Sequence, residues 1–268
     1  MTAALRYEWV RIRTIASTFW MSGLAIVLTA GVCAVLAWRI DVAKVSDLTI
    51  GEASTWMVTG GASAPVVPVL GALFYAVMGA MTMGHEFRYG TNKATLAAVP
   101  GRLAVVGAKA AVLSAWVICV AVVTLAVDAA IVALMLPGVG IDSSLWRPAA
   151  EYLGYCVGFA LAGMSIAAVL RSQVGAIVTV LLWPLLIEPV AGGIMRVINV
   201  TTHADLSVPY SLLPATAGRR SMYSPYTLLS SATGGVDTWG LGESTVIFWV
   251  AIALLVAAGT ILFAHRDA

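Results

Sequence analysis

Charge is what this sequence has least of. Only 10% of its 268 residues are Asp, Glu, Lys or Arg, where a soluble domain carries roughly 25%. Hydrophobic residues make up 60%, and the mean hydropathy is +0.95. A soluble protein this poor in charge has too little polar surface to stay in solution, so the composition indicates an integral membrane protein. The formal net charge of +2 is small and scattered, and no nucleic-acid partner is expected.

Cysteine and histidine are scarce too, at three each. Cys33, Cys119 and Cys156 all lie inside apolar runs without C-x-x-C spacing, and read as small core residues. His85-Glu86 begins like H-E-x-x-H, but Tyr89 stands where the second imidazole belongs. There is no G-x-x-x-x-G-K-[ST] and no G-x-S-x-G. These absences argue against an enzyme and against a metal or cofactor bound by this chain.

What the chain does have is long apolar runs. A spanning helix needs about 20 such residues, and six segments qualify: 19–38, 64–84, 103–136, 152–170, 174–197 and 244–264. The expected fold is an all-α polytopic membrane protein in a single domain, 1–268. The third run has 34 residues and reaches about 51 Å against a hydrocarbon core of about 30 Å. One end must leave the membrane, and Arg102 with Lys109 marks the inner end.

Orientation follows from the basic residues. With the N-terminus in the cytoplasm, the inner side holds nine Lys or Arg and three acids, the outer side six and eight. Six spans return His265-Arg266-Asp267-Ala268 to the cytoplasm. The polar stretch 85–102 is then the largest cytoplasmic loop, while Arg171-Ser172-Gln173 is a tight turn.

Residues 1–18 read as an interfacial amphipathic helix. Leu5, Trp9, Ile12 and Ala16 fall on one face, flanked by Arg6 and Arg13 on one side and by Glu8 and Arg11 on the other. The plainer alternative is a solvated basic leader. No cleavable signal is expected, because the first apolar run is longer than such a segment.

The fifth run carries Trp183-Pro184, Glu188-Pro189 and Gly192-Gly193. These breaking signals predict a span that stops short, followed by short re-entrant helices in the outer segment 198–243. Two acids lie at membrane depth and are candidate substrate-pathway residues. Asp128 reads as a hydrated acid near the outer surface or as a functional group. Glu188 has two readings, lining a cavity or accepting freed backbone N–H groups. Trp20, Trp38, Trp56, Trp146 and Trp239 suit an aromatic belt. Gly154, Gly158 and Ala162 suit close helix packing, within the chain or across a dimer.

The loop Glu86-Phe87-Arg88-Tyr89-Gly90-Thr91, then Thr95-Leu96-Ala97-Ala98-Val99-Pro100-Gly101-Arg102 and Lys109, resembles the permease subunits of ABC-2 type exporters. The leader Tyr7-Glu8-Trp9-Val10-Arg11-Ile12-Arg13-Thr14 and the segment Leu213-Pro214-Ala215-Thr216-Ala217-Gly218 are similar to runs in actinobacterial members. The resemblance implies a bacterial plasma-membrane subunit that forms an export pathway as a homo- or heterodimer. A separate ATPase subunit would bind ATP and Mg, and the lipid bilayer would be the other partner. The 85–102 loop would be the coupling element, drawing on Glu86, Arg88, Tyr89, Gly90, Thr91, Lys93, Thr95, Leu96, Pro100 and Arg102. Gly90 and Thr91 would turn the chain, Thr91 would cap a short helix, and Pro100-Gly101 would end it. Arg88, Lys93 and Arg102 would meet acids on the ATPase, and the leader helix would share the contact. Two other readings stay open: an ion-coupled carrier using Asp128 and Glu188, and a non-transporting scaffold or sensor subunit.

Overall fold

The computed structural model describes residues 2–39, 55, 57–59, 69–91, 101–136, 145–202, 206–222 and 240–265, and the regular elements among them are all helical. In chain order they are α1 (Thr2–Thr14), α2 (Ala16–Arg39), α3 (Val69–Tyr89), α4 (Arg102–Met135) and α5 (Trp146–Leu170). Then come α6 (Gln173–Leu182), a π-helical turn (Trp183–Ile187), α7 (Glu188–Thr202), α8 (Ser207–Ser211), α9 (Pro214–Met222) and α10 (Leu241–His265). Five stretches are long and apolar enough to cross a membrane: α2, α4, α5, the run Gln173–Thr202 and α10. The chain is a multi-pass helical membrane protein. α3 falls short of that measure, since its end carries His85, Glu86 and Arg88.

The bundle is apolar outside and partly polar within. α2 shows this most plainly: Thr18, Ser22, Ala25, Thr29, Cys33 and Ala37 are buried at helical spacing, while Trp20, Leu24, Val27, Leu28 and Val35 are exposed. Ser22 and Thr29 donate their hydroxyls to carbonyls one turn back, so the buried oxygens are satisfied within the helix. An exposed apolar face of this kind suits lipid contact and is costly in water. Trp20, Trp38 and Trp146 are exposed, as belt residues would be, whereas Trp56 and Trp239 lie outside the described residues.

α3 is the central helix. It packs most extensively on α5 and also on α6 and α2, burying Ala72, Leu73, Tyr75, Ala76, Met78, Ala80 and Met83. Its crossing with α5 is backbone-close because Gly79 and Gly163 face it from either side. A β-carbon on Gly79 would overlap the Ala160 carbonyl, and one on Gly163 would overlap the Ala76 carbonyl. Sequence pattern pointed instead to Gly154 and Gly158. Those two lie against Trp249, Phe248 and Ile252 of α10, so their packing is within the chain.

Three expectations change. The second helix runs beyond residue 84 to Tyr89. The fifth run does not stop at its prolines: helical geometry continues from Gln173 to Thr202, with Pro184 absorbed by the π-helical turn. Pro184 has no N–H to give, and the wider turn lets the Glu188 N–H bond the Trp183 carbonyl instead. Finally, Lys109 does not mark a projecting end. It is 0% exposed inside the bundle.

The short connection after α5 is as expected. Arg171 takes a left-handed conformation (φ 51°) to end α5, and the Ser172 hydroxyl accepts the Gly175 N–H to begin α6.

Candidate functional site: a buried ionic junction

Lys109 stands in α4 among apolar neighbours, and an unpaired ammonium there would be very costly. Two carboxylates from other helices neutralise it. Its Nζ donates to Glu8 Oε1 of α1 at 2.6 Å and to Glu86 Oε1 of α3 at 2.6 Å. Arg11 completes the group, with Nη1 donating to Glu8 Oε2 at 3.0 Å and lying 3.7 Å from Glu86 Oε1. Its Nη2 donates to the Thr82 carbonyl at 2.8 Å. Two cations face two anions, so the junction is neutral, and its short bonds are charge-assisted. A cleft of about 30 Å³ lies beside it, bordered by Thr18, Met78 and His85, with room for a water molecule.

The junction rotates the leader helix from its expected setting. α1 buries Ala4, Glu8 and Ile12, while Leu5 is half-buried and Trp9, Arg6, Arg13 and Ala16 are exposed. The polar Glu8 leads the inward face because it has a cation to reach. Trp9 still contributes at the rim: its ring meets Trp116 edge-on at 6.3 Å, with the Arg13 guanidinium 5.8 Å above it.

Glu86, expected to meet a partner, is therefore engaged inside the chain. The helix runs three residues beyond it and ends in a left-handed turn. Gly90 has φ 65°, and the Thr91 N–H bonds back to the Glu86 carbonyl at 3.1 Å, the six-to-one bond of a Schellman cap. Arg88, Tyr89, Gly90 and Thr91 are exposed at this turn, with Arg88 5.5 Å from the Tyr89 ring. Lys93, Thr95, Leu96 and Pro100 lie outside the described residues. Arg102 is committed within the chain as well. Its Nη1 donates to the Ala264 carbonyl at 3.0 Å and the Phe263 carbonyl at 3.5 Å, holding the C-terminal end of α10. Nearby, Phe87 meets Phe263 at 6.4 Å and lies 5.6 Å from the Arg171 guanidinium. His85, half-buried beside Arg11, has its imidazole pKa pushed below the usual value by burial, then by the Arg11 and Arg88 cations.

The two membrane-depth acids have no partner in common. Glu188 is buried and caps α9: Oε1 accepts the Ala215 N–H at 2.8 Å, while Oε2 accepts the Thr216 N–H at 2.7 Å and its hydroxyl at 2.9 Å. Trp183 Nε1 adds a fourth bond at 2.8 Å. Pro214 opens α9, where a missing N–H costs nothing, and the carboxylate meets the positive end of the helix. Of the two readings of Glu188, the geometry matches acceptance of backbone N–H groups. The donors belong to α9, 27 and 28 residues away, and not to the residues around Pro189. The cap borders an apolar cavity of about 340 Å³ lined in part by Phe159, Ile166, Trp183, Phe248 and Ile252. Asp128 is 0% exposed, which removes its reading as a hydrated surface acid.

The arrangement of Lys109 with Glu8 and Glu86 joins three helices mechanically and offers no bond-making chemistry. Among the described residues there is no group of three or more His, Cys, Asp or Glu that could hold a metal ion. Comparison with models of known protein families and with curated proteins finds no match for this chain.

Proposed function

We propose that this chain is the membrane-spanning permease subunit of an ABC-2 type exporter, working as a dimer with a separate ATP-binding-cassette ATPase. On this reading α3 is a sixth span and α8 and α9 are re-entrant in the outer leaflet. The membrane is the bacterial plasma membrane, and the leader, the Gly90 turn and the end of α10 face the cytoplasm. The chain itself binds no ATP; the ATPase binds ATP and Mg.

The Lys109 junction is the observation that carries the proposal. It fastens the leader helix and the end of α3 to α4 by ion pairs reaching across 101 and 23 residues of sequence. A push on the exposed Arg88–Thr91 turn or on the outer face of the leader would reach all three helices together. That is what a subunit driven by an external ATPase requires, and domain movement of this kind is the common means of alternating access. A basic loop that only fixed topology would have no need of it. An ion-coupled carrier using Asp128 and Glu188 together fits less well, since the carboxylate of Glu188 is taken up by α9.

Co-expression with the ATP-binding-cassette subunit encoded beside it tests the proposal. A complex should purify on either subunit's tag. Replacing residues 92–100 with a Gly/Ser linker should abolish export and leave insertion and thermal stability unchanged. A linker variant that exports normally overturns the coupling role; a stable chain that binds no such ATPase overturns the subunit assignment.

A further inference from the structure

Asp128 is the buried acid that the contacts above leave unused. Neither of its carboxylate oxygens has a hydrogen-bond partner among the described residues, and the same is true of the buried hydroxyls of Tyr75 and Tyr152. Four helices bring these groups to one level. Cys33 of α2 donates its thiol to the backbone carbonyl of Asp128 at 3.6 Å. Thr124, one turn before Asp128 on the buried face of α4, lies beside Tyr75 of α3. Gly71 of α3 leaves space between α2 and α5: a β-carbon there would sit 2.9 Å from Thr29 Oγ1 and 3.3 Å from the Tyr152 hydroxyl. The charge of Asp128 is felt at Cys33, Tyr75 and Tyr152 alike. One turn further along, Ala37 and Val132 pack with Met57 and Val58 into an apolar cluster that closes the level from that end.

An ionised carboxylate in such a place needs a counter-charge. No Lys or Arg supplies one among the contacts found for Asp128, unlike Glu8 and Glu86. What surrounds it is oxygen, from two phenols and two threonines, the ligand type of hard cations. One carboxylate balances one positive charge. The absence, among the described residues, of a group of three His, Cys, Asp or Glu speaks against a zinc or calcium site, which gathers several such ligands.

We propose that Asp128 and the Tyr75 and Tyr152 hydroxyls form a binding site for a small monovalent cation of the sodium type, enclosed between α2, α3, α4 and α5. Thr29 and Thr124 border it. The site stands on the packing of these four helices and not on the transport reading above. A bound ion would join the four helices at the opposite end from the Lys109 junction.

The purified full-length chain in lipid nanodiscs provides the test, with sodium chloride replacing choline chloride at constant ionic strength and pH. The unfolding temperature should rise saturably with sodium, because a ligand that binds only the folded state stabilises it. Asp128→Asn should abolish the rise, and Tyr75→Phe should shift half-saturation upward roughly tenfold, the effect of one lost ligand contact. A wild-type protein indifferent to sodium overturns the proposal, as does an Asp128→Asn variant with an undiminished response. Should that variant fail to fold, labelling of wild-type Asp128 by a hydrophobic carbodiimide decides: sodium protection supports the site. Labelling that follows pH alone, or no protection by sodium, overturns it and leaves Asp128 as an acid that carries a proton.

Discussion

Glu86 and Glu188 are both buried carboxylates in a chain of few charges, yet they are neutralised by different means. Glu86 shares the Lys109 ammonium with Glu8, and full charges from three helices cancel. Glu188 meets no cation among its hydrogen-bond partners. It is held by two backbone N–H groups, a hydroxyl and an indole. The first arrangement depends on every member, because removing one leaves a charge stranded. The second spreads a single charge over neutral dipoles, so losing one donor leaves the others. The ionic end of the molecule should therefore be brittle, and the capped helix more tolerant.

The largest expected effect follows from that brittleness. Lys109→Met strands two buried carboxylates and should cost about 3–5 kcal/mol, read as a fall in the detergent-solubilised unfolding temperature. Adding Glu8→Gln and Glu86→Gln should restore most of the loss, since Arg11 keeps the Thr82 carbonyl and some access to solvent. A triple variant no more stable than Lys109→Met would break the comparison.

A smaller effect is expected at the cap. Glu188→Ala leaves the Ala215 and Thr216 N–H groups without acceptors and should cost about 1–3 kcal/mol. Hydrogen–deuterium exchange should quicken in 214–222 ahead of the rest of the bundle. Glu188→Gln keeps an acceptor oxygen and should fall between Ala and wild type. Equal exchange in all three proteins would show that α9 does not depend on this carboxylate.

The smallest concerns His85, at the edge of the junction. Its pKa is lowered in the folded chain from the usual 6.5, so the unfolded chain takes up the proton first as pH falls. Stability should be full above about 6.5 and decline below it. His85→Gln should flatten that decline in a pH series of unfolding temperatures, and an unchanged slope would remove His85 as its source.

How much of this could be read from sequence differs between the same two regions. The apolar runs gave the helices because lipid-facing positions declare themselves by composition alone. The charges near the ends of those runs were misread for an equally physical reason. Glu8, Glu86 and Lys109 look like interfacial residues one at a time, and only their meeting makes burial tolerable. That meeting is a tertiary event with no local periodicity. Glu188 beside Pro189 and the Leu213–Gly218 segment were both conspicuous in the sequence, but nothing local linked the acid to the helix it caps. Gly79 and Gly163 were missed because each lies outside the small-residue spacing that drew attention to Gly154 and Gly158. Their reason is a crossing, visible only with both helices present.

The π-helical turn at Trp183–Ile187 has a consequence for sequence length. It holds one residue more than an α-helical turn, so removing any single residue within it would restore an ordinary α-helix without interrupting the chain. Everything after it would then rotate by about 100° about the helix axis. Glu188 would swing away from α9, and the lipid-facing side of α7 would turn with it. The span would keep its composition and hydropathy almost unchanged, yet a one-residue deletion there would be a change of architecture, while the same deletion in 203–205 would only shorten a connection.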